Sequence, residues 1–153
     1  MIKFFIQTFG CQMNEHDSER IAGILQKQGY SAAPGAENAD MVILNTCSIR
    51  EKAEQKFYSE LGRVKELKST NPDMKIAVAG CIAQQEGREL LSRAPYVDII
   101  FGPSDIGRFS TLVETKLSRA LPVVDTTGDP DYQRKQIPAA RADKLKAWVS
   151  IMY

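Results

Sequence analysis

The sequence predicts a doubly wound α/β domain with a mostly parallel sheet of four to five strands and helices on both faces. Three observations carry that reading. Short apolar runs alternate with longer amphipathic ones, which is the order of strand–helix–strand units. The run Met41-Val42-Ile43-Leu44 is apolar without a break, as in a strand buried on both faces. Each apolar run is bounded by residues that cap or stop helices.

Taken in order, Lys3–Gln7 reads as the first strand. Residues 15–28 follow as a helix, with Ile21, Ile24 and Leu25 on one face and Gly29 just past the end. Met41–Leu44 is the second strand. Residues 48–68 form the longest helix: Ser48 and Glu51 have capping-box spacing, and Ala53, Phe57, Leu61, Val64 and Leu67 make one apolar stripe. Asn71-Pro72-Asp73 stops it. Lys75–Ala79 is the third strand, and residues 85–93 form a short helix ended by Ala94-Pro95. Val97–Phe101 is the fourth strand. After Gly102-Pro103, Ser104 or Asp105 caps a helix running to Ser118. Val123-Val124 completes the pattern as a short fifth strand. An antiparallel edge strand is compatible with the same pattern.

Residues 1–125 are expected to be one domain. The stretch 126–146 has linker composition, with Gly128, Pro130 and Pro138 among charged residues. Residues 147–153 are again apolar, and the chain stops inside them, which is expected of a fragment ending at the first strand of a second domain.

Composition narrows the function. The chain has 153 residues, 43% of them hydrophobic and 25% charged, enough to build a core without disulfides. Twenty basic and 19 acidic residues give a net charge of +1, without the electrostatic footprint of a dedicated nucleic-acid binder. No run approaches the ~20 apolar residues of a membrane span, and the start lacks a secretory signal. The reading is a soluble cytoplasmic protein with no membrane contact, in a compartment where thiols stay reduced.

The chemistry lies in three cysteines. Cys11, Cys47 and Cys81 are 36 and 34 residues apart, about one strand–helix unit each. Every one follows a predicted strand, so all three belong at the sheet edge where ligands of open α/β sheets bind. Glycines precede Cys11 and Cys81 and permit tight turns and close backbone approach to something bound. Soft thiolates select zinc, copper(I) or an iron–sulfur cluster. The favoured reading is a cluster with one iron left without a protein ligand. A Cys₃His zinc site is the alternative, with His16, the single histidine, as fourth ligand. His16 is expected instead to point outward from the first turn of its helix. A cysteine nucleophile with His16 as base is a second alternative. A nucleotide-binding module ranks last, because Thr8–Asn14 contains neither a dinucleotide fingerprint nor a P-loop.

Three motifs carry a resemblance. Thr8-Phe9-Gly10-Cys11-Gln12-Met13-Asn14 with Asp17-Ser18-Glu19, Asn45-Thr46-Cys47-Ser48-Ile49-Arg50, and Gly80-Cys81-Ile82-Ala83-Gln84 together resemble the signatures of the radical-SAM methylthiotransferases. The likeness runs from Lys3 to about Gly107. It resumes at Trp148–Tyr153, which resembles the segment before that family's CxxxCxxC motif. The resemblance implies that Cys11, Cys47 and Cys81 hold an auxiliary 4Fe–4S cluster that carries the inserted sulfur. It also implies a second 4Fe–4S cluster and S-adenosylmethionine in a following domain, tRNA bound mainly by domains beyond this one, and a separate sulfur donor. Gln12-Met13-Asn14 resembles the tRNA-modifying branch that acts on isopentenylated adenosine beside the anticodon. The branches acting on threonylcarbamoyladenosine or on a ribosomal protein are the alternatives. Without the CxxxCxxC cysteines, this chain alone is expected to be inactive.

Asn14, Asn45, Thr46, Ser48, Arg50 and Gln84 flank the cysteines and are candidates to donate hydrogen bonds to cluster sulfur. Ser48 and Asn14 are also expected to cap their helices.

Overall fold

The protein was analysed as a computed structural model, which describes residues 2–10, 12–47, 51–119 and 121–128. Ser48 and Arg50, most of the expected linker, and the apolar run 147–153 lie outside the described residues, as does Cys11.

Six parallel strands form one sheet. They are β1 (Lys3–Thr8), β2 (Ser31–Ala32), β3 (Met41–Thr46), β4 (Lys75–Gly80), β5 (Ile99–Phe101) and β6 (Val123–Asp125), in the order β2-β1-β3-β4-β5-β6. The helices are α1 (Gln12–Lys27), α2 (Glu51–Thr70), α3 (Cys81–Glu86), α4 (Glu89–Arg93) and α5 (Phe109–Leu117), with 3-10 turns at Ala36–Asn38 and Pro103–Arg108. The order 2-1-3-4-5 is that of flavodoxin-like doubly wound sheets, here extended by a sixth strand.

Strand alternation divides the core into two layers. Val42, Leu44, Ile76, Val78 and Ile100 face Phe57, Leu61 and Val64 of α2, Ile82 of α3 and Leu90 of α4. Their neighbours Met41, Ile43, Ala77, Ala79, Ile99 and Phe101 face Ile21, Ile24 and Leu25 of α1 and Phe109, Leu112 and Val113 of α5. Each large side chain so buried contributes ~1.5–3 kcal/mol. The two-sided burial of β3, expected from its unbroken apolar run, is complete along all six residues.

The structure corrects four details. The sheet has six strands, not four to five. The extra one, β2, is only Ser-Ala, too short and too polar for a pattern, and exists because Lys3 and Phe4 pair with Ser31 and Ala32. All strand pairings among the described residues are parallel, so no antiparallel edge occurs there. The single helix expected over 85–93 is two, α3 and α4, separated at Gly87 with φ +51°. The helix expected from Ser104 begins as a 3-10 turn at Pro103 and becomes α-helical at Phe109.

The α5 connection has an uncommon hand. Strand β6 continues the lateral step of β4 and β5, yet α5 lies on the α1 face, opposite α2 and α4. Its crossover therefore turns opposite to the others, against a strong general preference. Phe101 and Phe109 stack with ring centres 4.7 Å apart beneath it.

Candidate metal centre

The positions of Cys47 and Cys81 converge because of register. Thr8 pairs with Asn45, and Thr46 pairs with Gly80. The carboxyl ends of β1, β3 and β4 are thus adjacent, ~5 Å from strand to strand. This is also the switch point of the sheet: β1 leads to β2 on one side, while β3 leads to β4 on the other. Cys47 follows β3 directly and is 3% exposed. Cys81 follows β4 directly, opens α3 and is partly exposed.

Gly10 brings the first turn to this point. It has φ +115°, and a Cβ added there would lie 2.4 Å from Cys47 Cβ and 3.4 Å from Cys47 Sγ. The residue before Cys11 therefore rests on the Cys47 side chain. Gly80 plays the same part at β4. Its φ is +95°, and an added Cβ would meet Thr46 O at 2.2 Å. Both glycines permit close approach, as expected, and their nearest partners are the protein's own Cys47 and Thr46.

A polar lattice locks these turns together. Asn14 Nδ2 donates to Thr46 O at 2.8 Å, and Asn45 Nδ2 donates to Asn14 O at 2.7 Å and Ser18 Oγ at 2.9 Å. Ser18 and Thr8 share a hydroxyl hydrogen bond at 2.8 Å. Phe9 N–H donates to Asn45 O at 2.8 Å. Thr46 Oγ1 donates to Ala79 O at 2.9 Å and accepts from Ile82 N–H at 3.3 Å. These contacts give the residues that flank the cysteines a structural role. Asn14 is the third residue of α1, not the residue before it, and its amide spans to β3. Asn45 and Thr46 bind neighbouring strand ends. Buried polar groups satisfied in this way hold a unique geometry. Ser18, not among the candidates, completes the lattice; its spacing of four from Asn14 puts both on one face of α1.

His16 also departs from expectation. It is 7% exposed, not turned outward. Beside the expected Ile21, Ile24 and Leu25, α1 also buries Asn14, Asp17 and Glu19, and it packs against α5 and the 3-10 turn as well as the sheet. Among the described residues no three His, Cys, Asp or Glu side chains form a group able to hold a metal.

Further along the same edge, Gln84 Nε2 donates to Thr126 O at 2.8 Å, joining α3 to the segment after β6. Asp105 is fully buried. It accepts from Gly102 N–H at 3.3 Å and Gly128 N–H at 3.0 Å and pairs with Arg108. Arg108 in turn lies 2.9 Å from Asp125 and donates to Thr127 Oγ1 at 3.0 Å. Burial first, then the Asp125 charge, raises the Asp105 pKa above the ordinary carboxylate value; Arg108 and the Gly128 N–H oppose this. A raised carboxyl pKa means that the native state binds the proton more tightly than the unfolded chain. Its stabilising contribution is full below about pH 4 and is lost as pH rises through the raised value. Asp105→Asn should therefore gain on wild type as pH rises from about 4 through the raised value, read as the difference in melting temperature. A difference that does not vary with pH would contradict this.

The fold and its edge define a doubly wound α/β domain with cysteine-bearing turns at its switch point. The chain belongs to the family described as Uncharacterized protein family UPF0004, whose model matches residues 3–102. It is 49% identical, over 97% of its length, to the tRNA-2-methylthio-N(6)-dimethylallyladenosine synthase of Thermodesulfovibrio yellowstonii. To the proteins of the same name from Polynucleobacter asymbioticus and Ralstonia nicotianae it is 49% and 45% identical, over 99% of its length. The chain spans about a third of these relatives, 34% of each. Their shared name agrees with the resemblance drawn from the three motifs. No helix among the described residues is long and apolar enough to cross a membrane.

Proposed function

We propose that this chain is the cluster-binding domain of a cytoplasmic tRNA methylthiotransferase that modifies the isopentenylated adenosine beside the anticodon. The observation that supports the reading most is the shared position of the cysteines. Cys47 and Cys81 follow adjacent central strands, and Gly10, the neighbour of Cys11, packs on Cys47. Three soft thiolates suit an iron–sulfur cluster, so the donor chemistry at this edge fits the group.

In this reading Cys11, Cys47 and Cys81 are the ligands of an auxiliary 4Fe–4S cluster. When bound, the cluster would supply an iron without a cysteine ligand, a soft site suited to sulfur. The chain's own residues set the geometry. Asn14, Asn45, Thr46 and Ser18 hold the three turns in register, and Gly10 and Gly80 let the strand ends close together. The thiol edge meets the substrate nucleoside, while a second 4Fe–4S cluster and S-adenosylmethionine belong to the remainder of the full-length protein, as does most of the tRNA contact. A separate sulfur donor replenishes the site.

Anaerobic reconstitution tests this. The expected product is brown, with broad thiolate-to-iron absorption and about four iron and four sulfide per cluster site, the composition of the 4Fe–4S type. A colourless protein holding one zinc would replace the cluster by a Cys₃His site, for which buried His16 is the candidate. A metal-free protein alkylated selectively at one cysteine would point to a nucleophile instead.

A further inference from the structure

A groove runs beside the thiol edge, on the α2 face of the sheet. It has a volume of about 620 Å³ and is lined by Gln7 and Phe9 of the β1 end and by Lys52, Gln55, Lys56, Ser59 and Glu60 of α2. Phe9 is its floor, 8% exposed and edge-on to Phe57 at 6.2 Å. The next residue, Gly10, touches Cys47. The groove therefore lies one residue from the switch-point edge, where ligands of such sheets bind.

Its charge is unbalanced. Lys52 and Lys56 are exposed, and neither has an acidic partner within ion-pair distance among the described residues. They stand four residues apart on one helix face, an arrangement of like charges that slightly destabilises a helix. Glu60, the acid at the groove wall, is taken by Arg63, which donates to it from Nε at 2.9 Å. Gln7, Gln55 and Ser59 add neutral donors. Two lysines one helical turn apart, with amide and hydroxyl donors lining the same groove, suit phosphates of a nucleic-acid strand.

We propose that this groove seats the backbone phosphates of the RNA strand whose nucleoside is presented to the cysteine edge, with Lys52 and Lys56 as the phosphate contacts. The proposal rests on the tRNA reading above and deepens it. Two contacts on a chain of net charge +1 add position, not strong affinity, so the remainder of the protein supplies most of the binding.

The test uses the full-length, cluster-loaded protein and its tRNA. K52E/K56E should weaken tRNA binding roughly tenfold at physiological salt. It should also lower the slope of log Kd against log salt by about 1–2, as expected for two lost phosphate contacts. The KM for tRNA should rise with kcat kept, iron content and circular dichroism should be unchanged, and K52R/K56R should restore binding. The control is K75E/R119E, a charge reversal of equal size remote from the thiol edge: Lys75 opens β4 at the amino edge, and Arg119 follows α5. It should leave affinity and slope unchanged. If wild type binds tRNA and K52E/K56E matches it in affinity and slope, the groove assignment is overturned while the tRNA reading stands. An equal loss in the control also overturns it, since net charge alone would explain the effect. If wild type itself binds no tRNA, the reading beneath the proposal fails and the groove with it.

Discussion

Cys11→Ala, Cys47→Ala and Cys81→Ala are each expected to abolish or severely impair cluster retention and, in the full-length enzyme, to bring tRNA methylthiolation to background. The fold should persist. The two apolar layers lie between the sheet and its helices, and they owe nothing to a metal. For Cys47, replacement also removes the side chain on which Gly10 rests. That loss is a small buried volume, on the order of 1 kcal/mol, and leaves the core intact. Iron analysis beside far-ultraviolet circular dichroism separates the two effects. Full iron retention in any one variant would remove that cysteine from the ligand set. Loss of the fold together with the iron would show that the thiols are structural first.

Gly80→Ala should be among the most damaging single substitutions available in this domain. The residue has φ +95° and ψ −160°, a region open essentially to glycine alone, and a non-glycine residue there costs ~1–3 kcal/mol in strain. The added methyl would also press on Thr46 O at 2.2 Å and Thr46 N at 2.8 Å. Both are backbone atoms inside the β3–β4 ladder, where Thr46 and Gly80 are partners, and neither can swing aside as a flexible side chain would. The combined loss should be about 3 kcal/mol or more, a fall in melting temperature on the order of 10 °C for a domain of this size. Because Cys81 is the next residue, iron retention should fall in parallel. Gly62→Ala is the informative contrast. Gly62 lies within α2 with nothing within 4 Å of an added Cβ, so the change should stabilise by ~0.5–1 kcal/mol through helix propensity. A Gly80→Ala protein that melts like wild type would show that the strand ends can separate, and the close packing of the cysteine turns would lose its structural importance.

The edge shared by Cys47 and Cys81 is legible in the sequence, and for a specific reason. In a parallel sheet every strand emits its carboxyl end at the same edge, so a cysteine placed after each of several strands needs no tertiary information to be assigned there. The apolar runs at Phe4–Ile6, Met41–Leu44 and Ile76–Val78 locate those strands, and the cysteines follow them. Gly10 and Gly80 were legible too, because a glycine at the end of a strand marks a conformation or an approach that other residues resist. What the pattern did not carry was the identity of the approaching partner. The glycines suggest something bound, and the nearest atoms are those of Cys47 and Thr46.

The amino-acid sequence by itself determined the fold class, the edge that Cys47 and Cys81 share and the family relationship. Each of these follows from local periodicity or from contiguous motifs. Tertiary structure alone decided the rest, because the remaining features depend on residues distant in sequence meeting in space. Strand β2 exists through pairing with β1, not through its own Ser-Ala sequence. Helix α1 packs against α5 and its 3-10 turn, nearly ninety residues further along the chain, and His16 is buried in the folded molecule. Asn14 joins two strand ends because β3 returns next to β1. The hand of the α5 crossover depends on which face its apolar side finds covered. The groove at Lys52 and Lys56 is formed by a strand and a helix that no local pattern connects. Periodicity tells a segment which of its faces to bury. Only the packed molecule determines what buries it.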